Sequence, residues 1–122
     1  MITQKFQLDE SEVEDCPLNE LDVVKDALYV ISGTWKLPIL ISLIDGKKRF
    51  KQIAREVEGI SDRMLSKELK DLEMNLLVKR TVYDTFPPTV EYAVTPYAAS
   101  LKKVISALRD WGRLHRNRLM AK

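Results

Sequence analysis

Apolar residues at Leu21, Val24, Leu28 and Ile31 recur at helical spacing and predict a first helix over residues 18–31. Gly33 interrupts it. From Trp35 to Ile44 most positions are apolar, which predicts a second helix buried on most sides. Thr34 is its expected cap, and Pro38 falls in the first turn, where proline costs least. Asp45-Gly46 closes it. KKRF (Lys47–Phe50) reads as a short extended link. A third helix comes next, over Lys51–Val57, with Phe50, Ile53, Ala54 and Val57 on one side. After a turn at Glu58-Gly59, Ser61 is placed to cap a fourth helix over Ser61–Leu77.

Beyond Leu77 the period drops to two. Val78, Arg80 and Val82 alternate with Lys79, Thr81 and Tyr83; Val90, Tyr92 and Val94 alternate with Glu91 and Ala93. DTFPPT between them is a proline-containing hairpin tip. Thr95-Pro96 then reads as an N-cap with proline at the first helical position, opening a long helix over Tyr97–Leu119. Leu101, Val104, Ile105, Leu108 and Trp111 form its apolar stripe. The fold class is mainly α with one small β-hairpin.

The fourth helix carries an unusual polar face. At about 100° per residue, Leu65, Leu69, Leu72 and Leu76 fall within roughly 60° of one another, with Met64 beside them. Arg63, Ser66, Lys67 and Lys70 stand opposite. The acids Asp62, Glu68, Asp71 and Glu73 lie at the margins, where they can pair with nearby lysines. A solvated face usually mixes its signs. A basic centre with acidic margins suits a face laid against an anionic surface. Arg63 in the first turn opposes the helix dipole, a small cost that contact with an anion offsets.

Charge along the chain agrees. The net charge of +2 divides into an acidic front (residues 1–46: 3 Lys/Arg, 9 Asp/Glu), a basic middle (47–80: 10 and 6) and a basic end (81–122: 7 and 3). The basic middle points to a polyanion. A short helix, a turn and a basic-faced helix is the helix-turn-helix order, and a hairpin directly after it is a wing. Arg63, Ser66, Lys67 and Lys70 are the residues expected to face a DNA major groove. Lys47, Lys48, Arg49, Lys79 and Arg80 are candidates for phosphate, with Lys51 and Arg55 nearby.

These features coincide with five segments in order: CPL (Cys16–Leu18), SGTWKLPIL (Ser32–Leu40), GISDRMLSKELKDLE (Gly59–Glu73), TVYDTFPPTVEYAVTP (Thr81–Pro96) and LRDWGRLH (Leu108–His115). With them the chain resembles the HxlR-type winged helix-turn-helix regulators, a bacterial and archaeal group related to MarR-type regulators. The resemblance implies a sequence-specific transcriptional regulator. It would be a homodimer, joined through N- and C-terminal dimerisation helices, on a pseudo-palindromic operator in double-stranded DNA. Residues 1–15 read as a flexible arm, and the resemblance implies a domain over 16–122 with the helix-turn-helix at 47–77, the wing at 78–95 and the dimerisation helix at 97–119. Two positions depart from the family. Many relatives carry a basic residue just after the paired prolines, where this chain has Thr89, and relatives often have glycine where it has Ala98-Ala99. Thr89 leaves open a winged-helix module that binds protein instead of DNA.

Cys16 sits where some relatives carry a cysteine that senses oxidants or electrophiles, so a small-molecule or oxidant effector is a candidate partner. A helix N-terminus lowers a thiol pKa, while Glu12, Glu14 and Asp15 raise it. As the chain's one cysteine, Cys16 has no partner for an internal disulfide. The other reading is a half-buried structural cysteine. Trp35 and Trp111 are either core and dimer anchors or the lining of an effector pocket. His115, the one histidine, has no second ligand at metal-site spacing, so no metal or cofactor is expected. No phosphate loop, GxSxG or HExxH is present, and no enzymatic activity is expected. The polar N-terminus and the absence of an 18-residue apolar run predict a cytoplasmic protein without a membrane span.

Overall fold

The computed structural model describes residues 20–121. The arm over 1–15 and Cys16 lie outside them. The chain divides into two units at Ser32–Gly33. In the first, α1 (Leu21–Ile31) begins with Asp22 in its first turn and closes where the Ser32 N–H donates to the Leu28 carbonyl at 2.7 Å.

In the second unit, α2 (Lys36–Ile44), α3 (Phe50–Glu56) and α4 (Asp62–Met74) precede the hairpin β1 (Val78–Tyr83) and β2 (Thr89–Val94). A 3₁₀ turn (Tyr97–Ser100) then leads into α5 (Leu101–Met120). Mostly helical with one antiparallel hairpin, this is a winged helix-turn-helix. Its core joins Ile39, Leu40 and Leu43 of α2, Ile53 of α3, Leu65, Leu69 and Leu72 of α4, and Leu77 and Val78 at the root of the wing. Helices α2, α3 and α4 contribute apolar faces to a shared interior, which is how a small helical domain excludes water. No single described helix is long and apolar enough to cross a membrane.

Local chemistry moves several boundaries. Thr34 does not cap α2. Trp35 occupies the N-cap without a side-chain bond, and the helix starts at Lys36. Helix α3 begins one residue early, at Phe50, because the Gln52 side chain accepts the Arg49 N–H at 2.9 Å. The turn from α3 to α4 requires Gly59, which adopts φ +89° over the Trp35 ring. Ser61 caps α4 as expected, its hydroxyl accepting the Met64 N–H at 3.1 Å.

The far end of α4 differs most. The apolar spacing predicts a helix to Leu77 with Leu76 in the buried stripe. The helix stops at Met74, and Leu76 turns left-handed at φ +66° and is 68% exposed. The Leu76 N–H donates to Glu73 O and the Leu77 N–H to Leu72 O, both at 3.0 Å, which is a Schellman closure. Leu77 is buried in place of Leu76. That closure turns the chain directly into β1.

KKRF is more than a link. Lys48 exchanges backbone hydrogen bonds with Tyr92, at 2.9 and 2.8 Å, and so adds one bridge to the outer side of β2. Thr95 does cap the segment after the wing: its hydroxyl accepts the Ala98 N–H at 3.1 Å and donates to the Leu76 carbonyl at 2.7 Å. The last helix, expected from Tyr97, opens as the 3₁₀ turn and becomes α-helical at Leu101.

Candidate nucleic-acid interface

On α4 the two faces divide as the wheel requires. Leu65, Leu69 and Leu72 are buried, whereas Arg63, Lys67 and Lys70 are exposed and Ser66 is partly so. Among the acids expected at the margins, Glu68 is different. It is 6% exposed and meets Lys36 of α2, whose Nζ lies 3.2 Å from both carboxylate oxygens. Lys36 also reaches Asp71 at 3.9 Å. A buried carboxylate needs such a partner, and this pair fastens α4 to α2. Glu68 is therefore held mainly by Lys36, and of the outer basic face it reaches Lys67 alone.

Lys67 is shared, 3.5 Å from Asp71 and 3.9 Å from Glu68, and remains well exposed. No carboxylate of the described residues lies within ion-pair distance of Arg63, Lys70, Lys79 or Arg80.

The hairpin register places Arg80 opposite Tyr92. Arg80 and Tyr92 line one side of an open hollow of about 320 Å³; Ser66, Leu69, Lys70 and Glu73 of α4 line the other. Helix face and wing thus present cations to one concavity. Lys79, the adjacent residue, projects from the other face of the strand and borders a second hollow with Leu76 and Tyr97. Sequence reasoning missed Tyr92. Its signal was present in the period-two pattern, but the register that sets it beside Arg80 was not.

The basic residues before α3 and in its first turn separate into two kinds. Lys47 is exposed, 3.5 Å from Glu91 and 5.8 Å above the Tyr83 ring. The Glu91 charge raises its pKa, so it stays a cation. Arg49 is exposed at the start of α3. Lys51 is exposed, 4.0 Å from Asp62.

Lys48, expected to contact phosphate, turns its side chain inward. Its Nζ donates to Glu56 at 2.6 Å and to the Ser42 carbonyl, and lies 2.9 Å from Asp45. Glu56 in turn accepts the Ser42 hydroxyl at 3.0 Å. The hydrogen bond that Lys48 donates to Glu56 raises the Lys48 pKa, with Asp45 adding to it, and Lys48 depresses Glu56 in return. A cation held by two carboxylates and a carbonyl has little charge left for a distant phosphate. The bridge to Tyr92 fixes its backbone so that the side chain reaches across α2 and α3.

At the other end of this unit, α5 buries no residue of its own. On a wheel, Leu101, Val104, Leu108, Trp111, His115 and Leu119 fall within about 80°. Trp111 and His115 stack at 4.9 Å with planes 12° apart.

Comparison with known proteins agrees with this geometry. Residues 30–120 match the HxlR-like helix-turn-helix family. The HTH-type transcriptional regulator YdeP of Bacillus subtilis is 37% identical over 121 residues, covering 98% of this chain and 90% of YdeP. The redox regulator HypR in its reduced form superposes with a TM-score of 0.75 at 37% identity, over 82% of this chain and 99% of HypR. A transcriptional regulator of the MarR family from Enterococcus faecalis V583 does so with a TM-score of 0.76 at 28% identity, over 98% and 100%.

Proposed function

The chain belongs to the HxlR-like helix-turn-helix family, and from that premise we propose that it regulates transcription by binding a specific operator in double-stranded DNA as a homodimer. The named relatives are transcriptional regulators, not enzymes. The observation that carries the DNA reading is the shared hollow of Ser66, Lys70 and Arg80 beside the exposed Arg63.

In this reading α4 enters a major groove with Arg63, Ser66, Lys67 and Lys70 toward the bases. The first-turn position suits Arg63 to a bidentate contact with a guanine edge. Arg80 lies where a wing meets the flanking backbone, with Lys47, Arg49 and Lys79 as outer phosphate contacts. Arg80 supplies the wing cation that Thr89 does not.

A 20-residue helix with an exposed apolar stripe on so small a domain supports a second copy as its cover. Two copies present two recognition helices, and these would fit half-sites about one helical turn apart. Residues 16–122 then act as one regulatory domain, with 1–15 as an arm, and the cytoplasm is the compartment where the chain meets DNA.

The test compares Arg63→Ala and Arg80→Ala on operator and random duplex. Arg63→Ala is expected to lose about 1–3 kcal/mol on the operator and little on random DNA. Arg80→Ala is expected to weaken both and to flatten the salt dependence by about one unit of slope. Equal losses on both duplexes for Arg63→Ala would remove its base-reading role.

Similarity to HypR, a redox regulator, favours a second reading in which oxidation of Cys16 adjusts DNA affinity. A single cysteine confines any disulfide to a partner subunit or a small thiol. Cys16→Ser should abolish the response of operator binding to mild oxidant. An unchanged response in that variant would sink the reading.

A further inference from the structure

The wing carries no lysine or arginine from Thr81 to Leu101, so its tip brings no cation of its own to a phosphate. What the tip presents is a ring. Phe86 is 103% exposed, as open as an isolated residue, and Pro87 and Pro88 beside it are exposed too. Phe86, Pro87 and Pro88 are consecutive, so the tip is a contiguous apolar patch rather than a lone exposed side chain, the kind of surface that serves for contact.

The tip is also braced. The Thr85 N–H donates to the Tyr83 carbonyl at 2.9 Å, and the Thr85 hydroxyl donates to the Pro87 carbonyl at 2.7 Å. That hydroxyl lies 2.9 Å from the hydroxyl of Thr89, the residue standing where many relatives carry a cation. Thr89 closes the tip on itself and leaves Phe86 at the apex.

The hairpin is long enough to matter. Six consecutive pairs join Val78–Val94 to Tyr83–Thr89. Five steps at about 3.4 Å carry the hairpin about 17 Å from its root at α4. Half a helical turn of DNA, the spacing from a major groove to the adjacent minor groove, is also about 17 Å. A hairpin of that length, rooted beside the cations of α4, is long enough to span from a major groove to the adjacent minor groove, where the surface open to an uncharged ring is the edge of a base step.

We propose that Phe86 is an apolar wedge that enters the minor groove beside each half-site, partly unstacks one base step and bends the duplex. Side chains of this type kink DNA in that way, and the flexibility of the wedged step then contributes to sequence choice. The wing thereby specifies flanking sequence by deformability and not by charge. This rests on the DNA-binding reading of α4.

The test uses the full chain and a duplex enriched from a random pool by the wild-type protein. The duplex carries end labels for energy transfer and 2-aminopurine at the steps flanking each half-site. Wild type is expected to bend it by about 20° or more and to brighten 2-aminopurine at one step per flank. Phe86→Ala, a change at a fully exposed position, should bind about ten-fold more weakly and leave the duplex straight. Phe86→Leu should retain the bend. Enrichment of a duplex that stays straight and dark, or one that Phe86→Ala binds and bends as wild type does, overturns the wedge alone. A pool from which nothing is enriched overturns the DNA reading and the wedge with it.

Discussion

Lys36→Met removes the cation that faces Glu68 inside the fold. The two side chains are 14% and 8% exposed, and Nζ lies 3.2 Å from the carboxylate. Removing one partner of a buried pair leaves an uncompensated charge and costs about 3–5 kcal/mol. Lys67, 3.9 Å from the same carboxylate but 64% exposed, compensates in part. The expected loss is therefore at the lower end, about 3 kcal/mol. In a domain stable by about 5–15 kcal/mol, that is a large fraction. Urea unfolding followed by tryptophan fluorescence measures it as a lowered midpoint at constant m. The companion experiment is Lys36→Met with Glu68→Leu. Replacing both partners by apolar side chains of similar volume removes the desolvation penalty with the attraction, so the double variant should return to within about 1 kcal/mol of wild type. A Lys36→Met cost below about 1 kcal/mol, or a double variant whose loss equals the sum of the single losses, would refute the pair as the fastening between α2 and α4.

Single contacts carry further consequences. Lys48→Ala should lower the unfolding midpoint while a folded sample keeps the salt slope of its DNA binding, since Lys48 holds Asp45 and Glu56 and not a phosphate; a flattened slope in anisotropy titrations would contradict this. Glu56 is depressed by Lys48 and by Ser42, so its contribution to stability is present above its unfolded pKa and fades as pH falls through the lower folded value. Glu56→Gln should accordingly make urea midpoints less sensitive to acid below the usual carboxylate range. Leu76→Gly should stabilise by about 0.5 kcal/mol or more, because glycine adopts the left-handed closure of α4 without the Cβ clash and little apolar burial is lost; a lower midpoint would show that Leu76 packs in solution.

Much of this is legible in the chain. The apolar stripe of α4 and the period-two strands depend on local geometry, and the turn at Gly59 and the caps of Ser61 on Met64 and Thr95 on Ala98 act within a short stretch of chain. What the sequence could not show is set by distant pairs. Lys36 and Glu68 are 32 residues apart, and only the packing of α2 on α4 brings them together. Lys48 reads as one more cation in a basic run until its backbone pairs with Tyr92 and turns the side chain inward. Leu76 fits the helical repeat, but the closure of α4 two residues earlier moves it into solvent and puts Leu77 in the core. The hollow shared by Lys70 and Arg80 needs both the helix end and the hairpin register, and neither is a property of a short window.

The most direct test of the central claim is fluorescence anisotropy of the full chain on DNA from its own upstream region, beside a shuffled duplex of equal length. Titrations at about 50 and 200 mM salt span the range over which phosphate-driven binding falls steeply. Preferential binding to the native duplex, weakened by salt and relaxed toward equality by Arg63→Ala, is the expected result. No binding to either duplex at either salt would contradict it, and would make the basic face of α4 a solvated surface.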